Sequence, residues 1–173
     1  MQRTRFDTLP CPIARGLERV GDWWTMLILR DAFYGLTRFD EFEKSLKIAP
    51  NMLTRRLHSL VEDGLMERHP YSEKPPRFEY RLTQRGRDFR PVLLAMLAWG
   101  NRHFAPEGAS VVLVDSETGK VAEPILVDAR SGKTITEATH MVGTGPAANT
   151  VVRRRVAAAV ERRQARKLPT RGA

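Results

Sequence analysis

Cysteine is almost absent from this chain of 173 residues, in which Cys11 is the single one. A lone thiol excludes an internal disulfide and a cysteine-rich metal centre. The four histidines, at positions 58, 69, 103 and 140, do not show the spacing of metal ligands. We therefore expect neither a metal nor another cofactor.

Long hydrophobic runs and catalytic groupings are missing as well. No segment reaches the roughly 18 apolar residues of a membrane span, and the first ten residues lack the apolar core of a signal peptide. Acidic, histidine or cysteine residues do not pair at a spacing usable for catalysis. These absences predict a cytoplasmic protein that is not an enzyme and has no membrane partner.

Basic side chains outnumber acidic ones by 29 to 20, and the net charge of +9 favours a polyanionic partner. The excess is uneven along the chain. Residues 1–105 hold 18 basic and 13 acidic side chains, residues 106–149 hold 3 and 6, and residues 150–173 hold 8 and 1. The short last segment therefore dominates the net charge.

The clearest pattern lies between Pro50 and Gly64, where apolar residues recur with the period of a helix. Proline suits the first helical position because its missing N–H would have no partner there. Glycine suits the left-handed conformation that ends a helix. The spacing predicts one buried stripe, which consists of Leu53, Leu57, Leu60 and Val61.

The rest of this helix is polar and rich in groups that read DNA. Arginine pairs with guanine edges and asparagine with adenine edges through two hydrogen bonds, while threonine and serine reach bases or phosphates. We predict major-groove contacts by Asn51, Thr54, Arg55 and Ser59, a phosphate contact by Arg56, and further contacts by Met52 and His58.

Two stretches of alternating apolar and polar residues follow, at positions 65–69 and 78–82, and predict a β-hairpin. Its tip, residues 71–77, is too rich in proline for ladder hydrogen bonds and presents Lys74 and Arg77. Exposed cations are normal on any solvated turn. Directly after a recognition helix, they favour a wing that contacts phosphates or the minor groove.

The segment before Pro50 supplies the first half of a helix-turn-helix motif. Thr37 and Asp40 resemble a capping signal, and a short amphipathic helix is predicted to end near residue 46, with a turn at residues 47–49. Arg38 in this segment is predicted to contact a phosphate. Further upstream, the mostly apolar residues 23–30 predict a core helix, preceded by an N-terminal helix.

Together these motifs resemble the HxlR family of bacterial transcriptional regulators, over residues 11 to about 105. The resemblance implies one winged helix-turn-helix per subunit, a homodimer and kinship with the MarR regulators. Ala49 departs from the family pattern, which usually has a small polar cap there, at a cost of about 1 kcal/mol of local helix stability. The matching stretches are 11–15 (CPIAR), 21–30 (GDWWTMLILR), 38–42 (RFDEF), 50–57 (PNMLTRRL), 62–65 (EDGL) and 80–86 (YRLTQRG).

A helix predicted to start at Thr83 contains eight consecutive apolar residues, 92–99, and Pro91 is expected to kink or restart it. A helix that is apolar on all sides must be covered on all sides. Either a second subunit or the C-terminal extension of the same chain supplies that cover. The resemblance implies a two-fold interface between this helix and the N-terminal helix, which we assign to Ile13, Leu17, Val92, Leu93, Met96, Leu97 and Trp99.

Two interpretations of Cys11 are open. A lone cysteine is by default a small buried hydrophobic residue. The resemblance implies another role, because several members of the family sense aldehydes, quinones or oxidants through an N-terminal cysteine at this position. Arg15, one helical turn later, would favour the reactive thiolate. A modified thiol near the subunit interface would then alter the geometry between two recognition helices.

The region after residue 105 carries a repeat with a period of 13, in which Leu113 and Leu126 each begin a Leu-Val-Asp triplet followed by a Gly-Lys turn. The repeat predicts a three-stranded meander with strands 111–114, 121–127 and 134–141. It lacks a P-loop pattern, although an effector site there stays open. A basic helix is predicted from about Thr150. It either follows DNA phosphates or is a solvated tail, and a membrane-surface role is weaker because Trp and Phe are absent.

We therefore predict an α+β, mainly helical fold in three segments. These are a winged helix-turn-helix DNA-binding and dimerisation domain at 11–108, a small β-hairpin or meander extension at 109–145 and a basic helical or disordered tail at 146–173. The predicted function is sequence-specific transcriptional regulation, as a repressor, by a homodimer on a pseudo-palindromic double-stranded DNA operator. A redox or small-molecule effector stays open. One alternative is a nonspecific architectural protein whose tail supplies the affinity, and another is a sensor or enzyme seated on the β-extension.

Overall fold

The computed structural model describes residue 6 and residues 9–167. Its described residues form two compact units, 16–125 and the residues up to 15 together with those from 126 onward. The three segments predicted above stay predictions, and residues 168–173 of the predicted tail lie outside the described part. The elements are α1 (Pro12–Val20), α2 (Trp23–Phe33), α3 (Phe39–Leu46), α4 (Pro50–Glu62), β1 (Met66–Glu73), β2 (Pro76–Leu82), α5 (Gln84–Arg87), α6 (Arg90–Phe104), β3 (Leu113–Val114), β4 (Val121–Ala122) and α7 (Thr150–Lys167).

This order confirms the predicted mainly helical fold with a winged helix-turn-helix, in which α3 and α4 are followed directly by a two-stranded hairpin. None of the helices in the described part is long and apolar enough to cross a membrane.

One hydrophobic core joins α2, α3 and α4. As the spacing predicts, Leu53, Leu57 and Leu60 of α4 are at most 1% exposed, whereas Val61 is only partly buried. Burial of each leucine side chain is worth about 1.5–3 kcal/mol, so the stripe fixes the rotation of α4 about its own axis. The other buried members of this cluster are Ile28, Leu29, Phe42, Ile48, Leu65 and Met66.

The start of α3 corrects one prediction. The Thr37 and Asp40 pair is not the cap; instead the carboxylate of Glu41 accepts the backbone N–H groups of Arg38 at 2.8 Å and of Thr37 at 2.9 Å. These hydrogen bonds, with that of Arg38 the stronger influence, hold the pKa of Glu41 below its usual value. The capping carboxylate lies one residue further along because a glutamate in the first turn can reach back to free N–H groups.

The ends of α4 agree with the sequence. Ala49 precedes Pro50 and forms no side-chain hydrogen bond that caps the helix. Gly64, two residues beyond the helix, has a positive φ of 67°, a conformation that glycine adopts without strain.

The start of α5 attaches the hairpin to the end of α4. The hydroxyl of Thr83 accepts the N–H of Gly86 at 3.1 Å and donates to the carbonyl of Gly64 at 2.7 Å. The N–H of Thr83 donates to the carbonyl of Leu65 at 3.1 Å. A Cβ on Gly86 would lie 2.1 Å from that same carbonyl oxygen. Only glycine therefore allows α5 to approach this turn so closely.

The paired strands of the wing are longer than predicted. β1 and β2 pair antiparallel out to Glu73 and Pro76, so the tip is much shorter than residues 71–77. The strands tolerate proline for two reasons. The register shifts between Pro70 and Ser72, which relieves the ladder, and Pro76 occupies the first position of its strand.

The helix predicted from Thr83 is two helices. Thr83 caps α5, and α6 restarts at Arg90 with Pro91 in its first turn, as predicted. None of the residues of α6 is fully buried. Leu93 packs against the core. The other faces of α6 differ in how they are covered.

One flank of α6 is covered by the chain itself. Leu94 and Leu97 border a cavity of about 360 Å³ together with residues 111–113, and the side-chain amide of Asn101 donates to the carbonyl of Val111 at 2.8 Å. Another face stays open, because Val92, Met96 and Trp99 are 49%, 48% and 55% exposed. Residues 111–113 thus supply part of the predicted cover. Within the described residues 16–125, a contiguous apolar face of α6 stays exposed.

The predicted three-stranded meander takes the form of two separate hairpins. β3 and β4 pair over two residues each, and a single antiparallel bridge joins Val127 and Thr134. The predicted strand 121–127 is interrupted after Ala122 because Pro124 cannot donate to a ladder.

The turns of the two hairpins are held by the repeated aspartates. Asp115 accepts the N–H of Thr118 at 2.7 Å, and Asp128 accepts the hydroxyl of Ser131. These hydrogen bonds are the largest cause of the lowered pKa of each carboxyl. The repeat therefore encodes turn structure.

Candidate nucleic-acid interface

The polar face of α4 lies opposite the leucine stripe and faces solvent. Asn51, Thr54, Arg55 and His58 are exposed, while Ser59 is half-buried. The seven side chains predicted to contact DNA from α4 thus divide into an outward group and a group that packs inward. Met52 belongs to the second group, since it lies partly buried against the core.

Local contacts of the outward side chains are weak. The hydroxyl of Thr54 donates to the carbonyl of Pro50 at 2.9 Å within the helix. Arg55 lies with Nη2 at 3.1 Å from the sulfur of Met52, and His58 forms an exposed pair with a carboxylate one turn later. Exposed pairs of this kind are worth at most about 1 kcal/mol. A DNA duplex can therefore displace them at little cost.

Arg56 does not join this outward group. Its guanidinium lies 3.1 Å from the carboxylate of Asp22, and the two side chains are only 20% and 23% exposed. Asp22 is also the N-cap of α2, where it accepts the N–H of Thr25 at 3.1 Å. Arg56 thus ties the recognition helix to the start of the core helix, and its predicted phosphate contact stays a prediction.

Arg38 lies against the wing. It forms an isolated antiparallel bridge with Glu79, and the N–H of Tyr80 donates to the carbonyl of Thr37 at 2.7 Å. The guanidinium of Arg38 stacks 4.7 Å from the centre of the Tyr71 ring. The entry to α3 therefore extends the hairpin and holds one cation beside it.

The wing itself presents the two predicted cations. Lys74 and Arg77 are both exposed at its outer end. Opposite Arg77 lies Ser72, whose hydroxyl donates to the carbonyl of Pro75 at 3.0 Å and braces the turn. Cations on a braced, protruding hairpin suit phosphate contacts.

Two further residues of this surface were missed in the sequence. Lys47 is exposed in the turn between α3 and α4, with a positive φ of 50°. Tyr71 is the residue displaced by the register shift in β1 and provides the ring for Arg38. The sequence could have indicated Lys47, because it is a cation in the turn of the helix-turn-helix. It could not have indicated the contact between Tyr71 and Arg38, because that contact depends on the register shift in β1.

The predicted interface and sensor residues of the N-terminal segment lie on α1 and just before it. Ile13 and Leu17 on α1 are 75% and 53% exposed. Cys11, just before α1, is half-buried with a free thiol. The side chain of Arg15 donates from Nε to the carbonyl of Leu9 at 2.8 Å, so this guanidinium has a main-chain partner.

Comparison with known proteins points to one family. The HxlR-like helix-turn-helix family matches residues 19–108. An uncharacterized HTH-type transcriptional regulator of Mycobacterium tuberculosis is 41% identical over 135 residues, which covers 78% of this chain and 85% of the relative. That similarity extends over more residues than the family match. The 135 aligned residues therefore include part of the chain outside the helix-turn-helix domain.

Solved structures give the same result. PA1374, a candidate transcription factor from Pseudomonas aeruginosa, is 55% identical in sequence. The alignment covers 84% of this chain and 99% of PA1374, with a TM-score of 0.62. PA1607, another candidate transcription factor, is 43% identical over 82% of this chain and all of its own, with a TM-score of 0.74. The redox regulator HypR in its reduced form is 34% identical over 56% of this chain and 99% of its own, with a TM-score of 0.51.

Arg55 and Arg56 are neighbours, but we expect only Arg56 to contribute measurably to stability. We expect Arg56→Ala to lower the free energy of unfolding by on the order of 1 kcal/mol, because the half-buried carboxylate of Asp22 loses its partner. The matched control Arg55→Ala removes an exposed side chain from the same helix and should change stability by less than about 0.5 kcal/mol. Urea denaturation followed by circular dichroism measures both. A greater loss in Arg55→Ala would contradict this assignment.

Proposed function

The chain belongs to the HxlR-like helix-turn-helix family, and we propose that two copies of it bind a specific duplex operator and repress transcription by occupying it. Its general function is that of a helix-turn-helix transcriptional regulator. Family membership favours this function over that of a nonspecific architectural protein.

The observation that carries the proposal is the division of α4 into two faces. One face is fixed in the core by its leucines, so the other must point outward with its polar side chains. An α-helix fits the major groove of duplex DNA, where each base pair presents a distinct pattern of hydrogen-bond donors and acceptors.

We assign the base contacts to the outward group of α4, with Arg55 as the main reader of guanine and Asn51 as the reader of adenine. Thr54, Ser59 and His58 contribute nearby hydrogen bonds to bases or phosphates. Met52 packs against the core beneath these side chains and helps to hold them in place. The phosphate contacts are assigned to cations on the wing, beside it and in the turn before α4, namely Arg38, Lys47, Lys74 and Arg77.

The uncovered face of α6 supports the homodimer. Val92, Met96 and Trp99 form one apolar face that the described part of this chain does not cover, and contiguous exposed apolar surface is typical of an interaction site. We propose that this face and the exposed apolar residues of α1 form a two-fold interface. Leu93 and Leu97 support it from within the subunit. Two-fold symmetry places the recognition helices on half-sites one or two DNA turns apart.

A second proposal concerns redox control through Cys11. Its support is the likeness to the redox regulator HypR together with the half-buried free thiol at the start of α1. A peroxide would transfer one oxygen to the thiolate, which gives a sulfenic acid and releases hydroxide that becomes water. A polar group at this position would then disturb the proposed interface.

We expect Arg55→Ala and Lys74→Ala to weaken DNA binding in different ways. Arg55→Ala should cost about 1–3 kcal/mol on the operator and little on a scrambled duplex, because it removes a base contact. Lys74→Ala should weaken both duplexes alike and lower the salt slope by about one, because it removes a phosphate contact. The operator is first selected from a random duplex library with the unaltered protein, and affinities are measured by fluorescence anisotropy.

If Arg55→Ala lowers the affinity for operator and scrambled DNA equally, Arg55 does not read bases. Selection of no preferred sequence by the unaltered protein would contradict the proposed function as a whole.

Met96→Glu tests the dimer. A buried, unpaired carboxylate is strongly unfavourable, so we expect the variant to become monomeric and to lose at least tenfold in operator affinity. Val114→Glu is the matched control, because Val114 is 49% exposed and Met96 is 48% exposed. Sedimentation equilibrium at micromolar concentration gives the mass. A monomeric unaltered protein, or a Met96→Glu variant that stays dimeric, would rule out this interface.

Cys11→Ser tests the redox proposal. Peroxide should lower operator affinity of the unaltered protein several-fold, and a thiol reductant should restore it, since a sulfenic acid or the disulfide formed from it is reversible. The Cys11→Ser variant should bind the operator normally and ignore peroxide. Loss of binding in both proteins would assign the effect to another group, and loss in neither would exclude this sensor.

A further inference from the structure

Helix α7 is attached to its own unit through one face. Val152, Val156 and Val160 recur at intervals of four residues and are half-buried. The N–H of Val152 donates to the side chain of Asn149 at 3.0 Å, which caps the helix. Near the other end, Nη1 of Arg163 donates to the carbonyl of His140 at 3.0 Å. The helix is therefore seated by apolar, capping and main-chain contacts, and its rotation is set.

The other half of α7 carries cations without counter-ions. Arg154, Arg155 and Arg162 are exposed. At about 100° per residue they lie on the half of the helix away from the valine stripe. Within the part of the chain that the structure describes, none of the three forms an ion pair with a carboxylate. Glu161 is the one acidic residue between positions 150 and 173, where eight residues are basic.

Unpaired like charges on one helix face repel one another, and a polyanion relieves that repulsion. Duplex DNA carries one negative charge for about every 1.7 Å of its axis and releases condensed counterions when arginines neutralise them. Arginine also binds a phosphate through two parallel hydrogen bonds. This match in charge and donor geometry favours a nucleic-acid backbone as the occupant of the exposed half of α7.

A membrane surface fits this helix less well. Interfacial helices insert an apolar face containing Trp, Phe or Leu between lipid headgroups. The described part of α7 contains neither Trp nor Phe, and three of its valines are half-buried in their own unit.

We propose that Arg154, Arg155 and Arg162 form a second DNA-contacting surface, which binds backbone phosphates without reading bases. The inference rests on the proposed function only in that duplex DNA is the partner. It assigns to α7 a contribution to affinity for any duplex and to α4 the discrimination between sequences. Neutralising the three arginines should therefore weaken operator and scrambled DNA by the same factor.

The test replaces all three arginines in the full chain, as Arg154→Gln, Arg155→Gln and Arg162→Gln. Glutamine is a good helix former, and circular dichroism confirms that helix content is kept. The matched control is Lys120→Gln, Arg130→Gln and Lys133→Gln, which removes three exposed cations from the two hairpins and leaves the same net charge of +6. Binding to a scrambled duplex of about 40 base pairs is measured over a salt series.

We expect the slope of log K against log salt to fall by about 2.7 in the α7 variant, since each lost phosphate contact removes about 0.9. The control variant should change the slope by less than one. Equal changes in the two variants would overturn the proposal, because net charge rather than α7 would then be the cause. An unchanged slope in the α7 variant would overturn it as well.

The same variants separate this proposal from the proposed function. If the α7 variant keeps the ratio of operator affinity to scrambled-duplex affinity, α7 contributes only to general affinity, as proposed. If that ratio falls towards one, α7 also contributes to sequence discrimination and the proposal is wrong. If the unaltered protein shows no sequence preference, the proposed function fails while the slope test still decides the role of α7. Vesicles of phosphatidylserine and phosphatidylcholine form the last arm. Vesicle binding lost in the α7 variant, with an unchanged duplex slope, would overturn the proposal in favour of a membrane surface.

Discussion

Burial of three leucines of α4 against α2 and α3 fixes the arrangement of the winged helix-turn-helix. Leu53, Leu57 and Leu60 contribute several kcal/mol together, and they permit one rotation of the helix. The angular distance of each polar residue of α4 from that stripe then decides whether its side chain is exposed or half-buried. Asn51, Thr54 and Arg55 point outward because the leucines point inward. The surface that we propose for DNA reading is therefore a consequence of core packing.

Polar contacts then set the position of the helix and of its neighbours. Asp22 caps α2 and pairs with Arg56, so the start of the core helix and the middle of the recognition helix are held together. Thr83 bonds to the turn after α4, and Gly86 allows the close approach of α5 there. The hairpin that follows α4 is anchored at its base by this turn. Arg56 in the recognition helix thus has a positioning role, while its neighbour Arg55 is exposed.

Local periodicity predicted the helices well, because the signals for α4, α7 and the break at Pro91 lie within a few residues of one another. Tertiary contacts were less accessible. The ion pair between Arg56 and Asp22 could not be predicted, because the two residues are 34 positions apart and a helical pattern does not reach that far. The wing was predicted too short because proline content was weighed without the register shift that accommodates it. The predicted strand 121–127 is longer than the observed one, because Pro124 has no N–H to donate to a strand ladder.

We propose that the outward face of α4 and the wing contact duplex DNA. The most direct measurement is a heteronuclear NMR titration of the labelled protein with a selected operator duplex and with a scrambled one. We expect large operator-specific shifts of the amide signals of residues 51–59, with shifts at Glu73, Lys74, Arg77 and Arg38 on both duplexes. Unchanged signals across α4, with the largest shifts on α6 or on the β3–β4 hairpin, would contradict it.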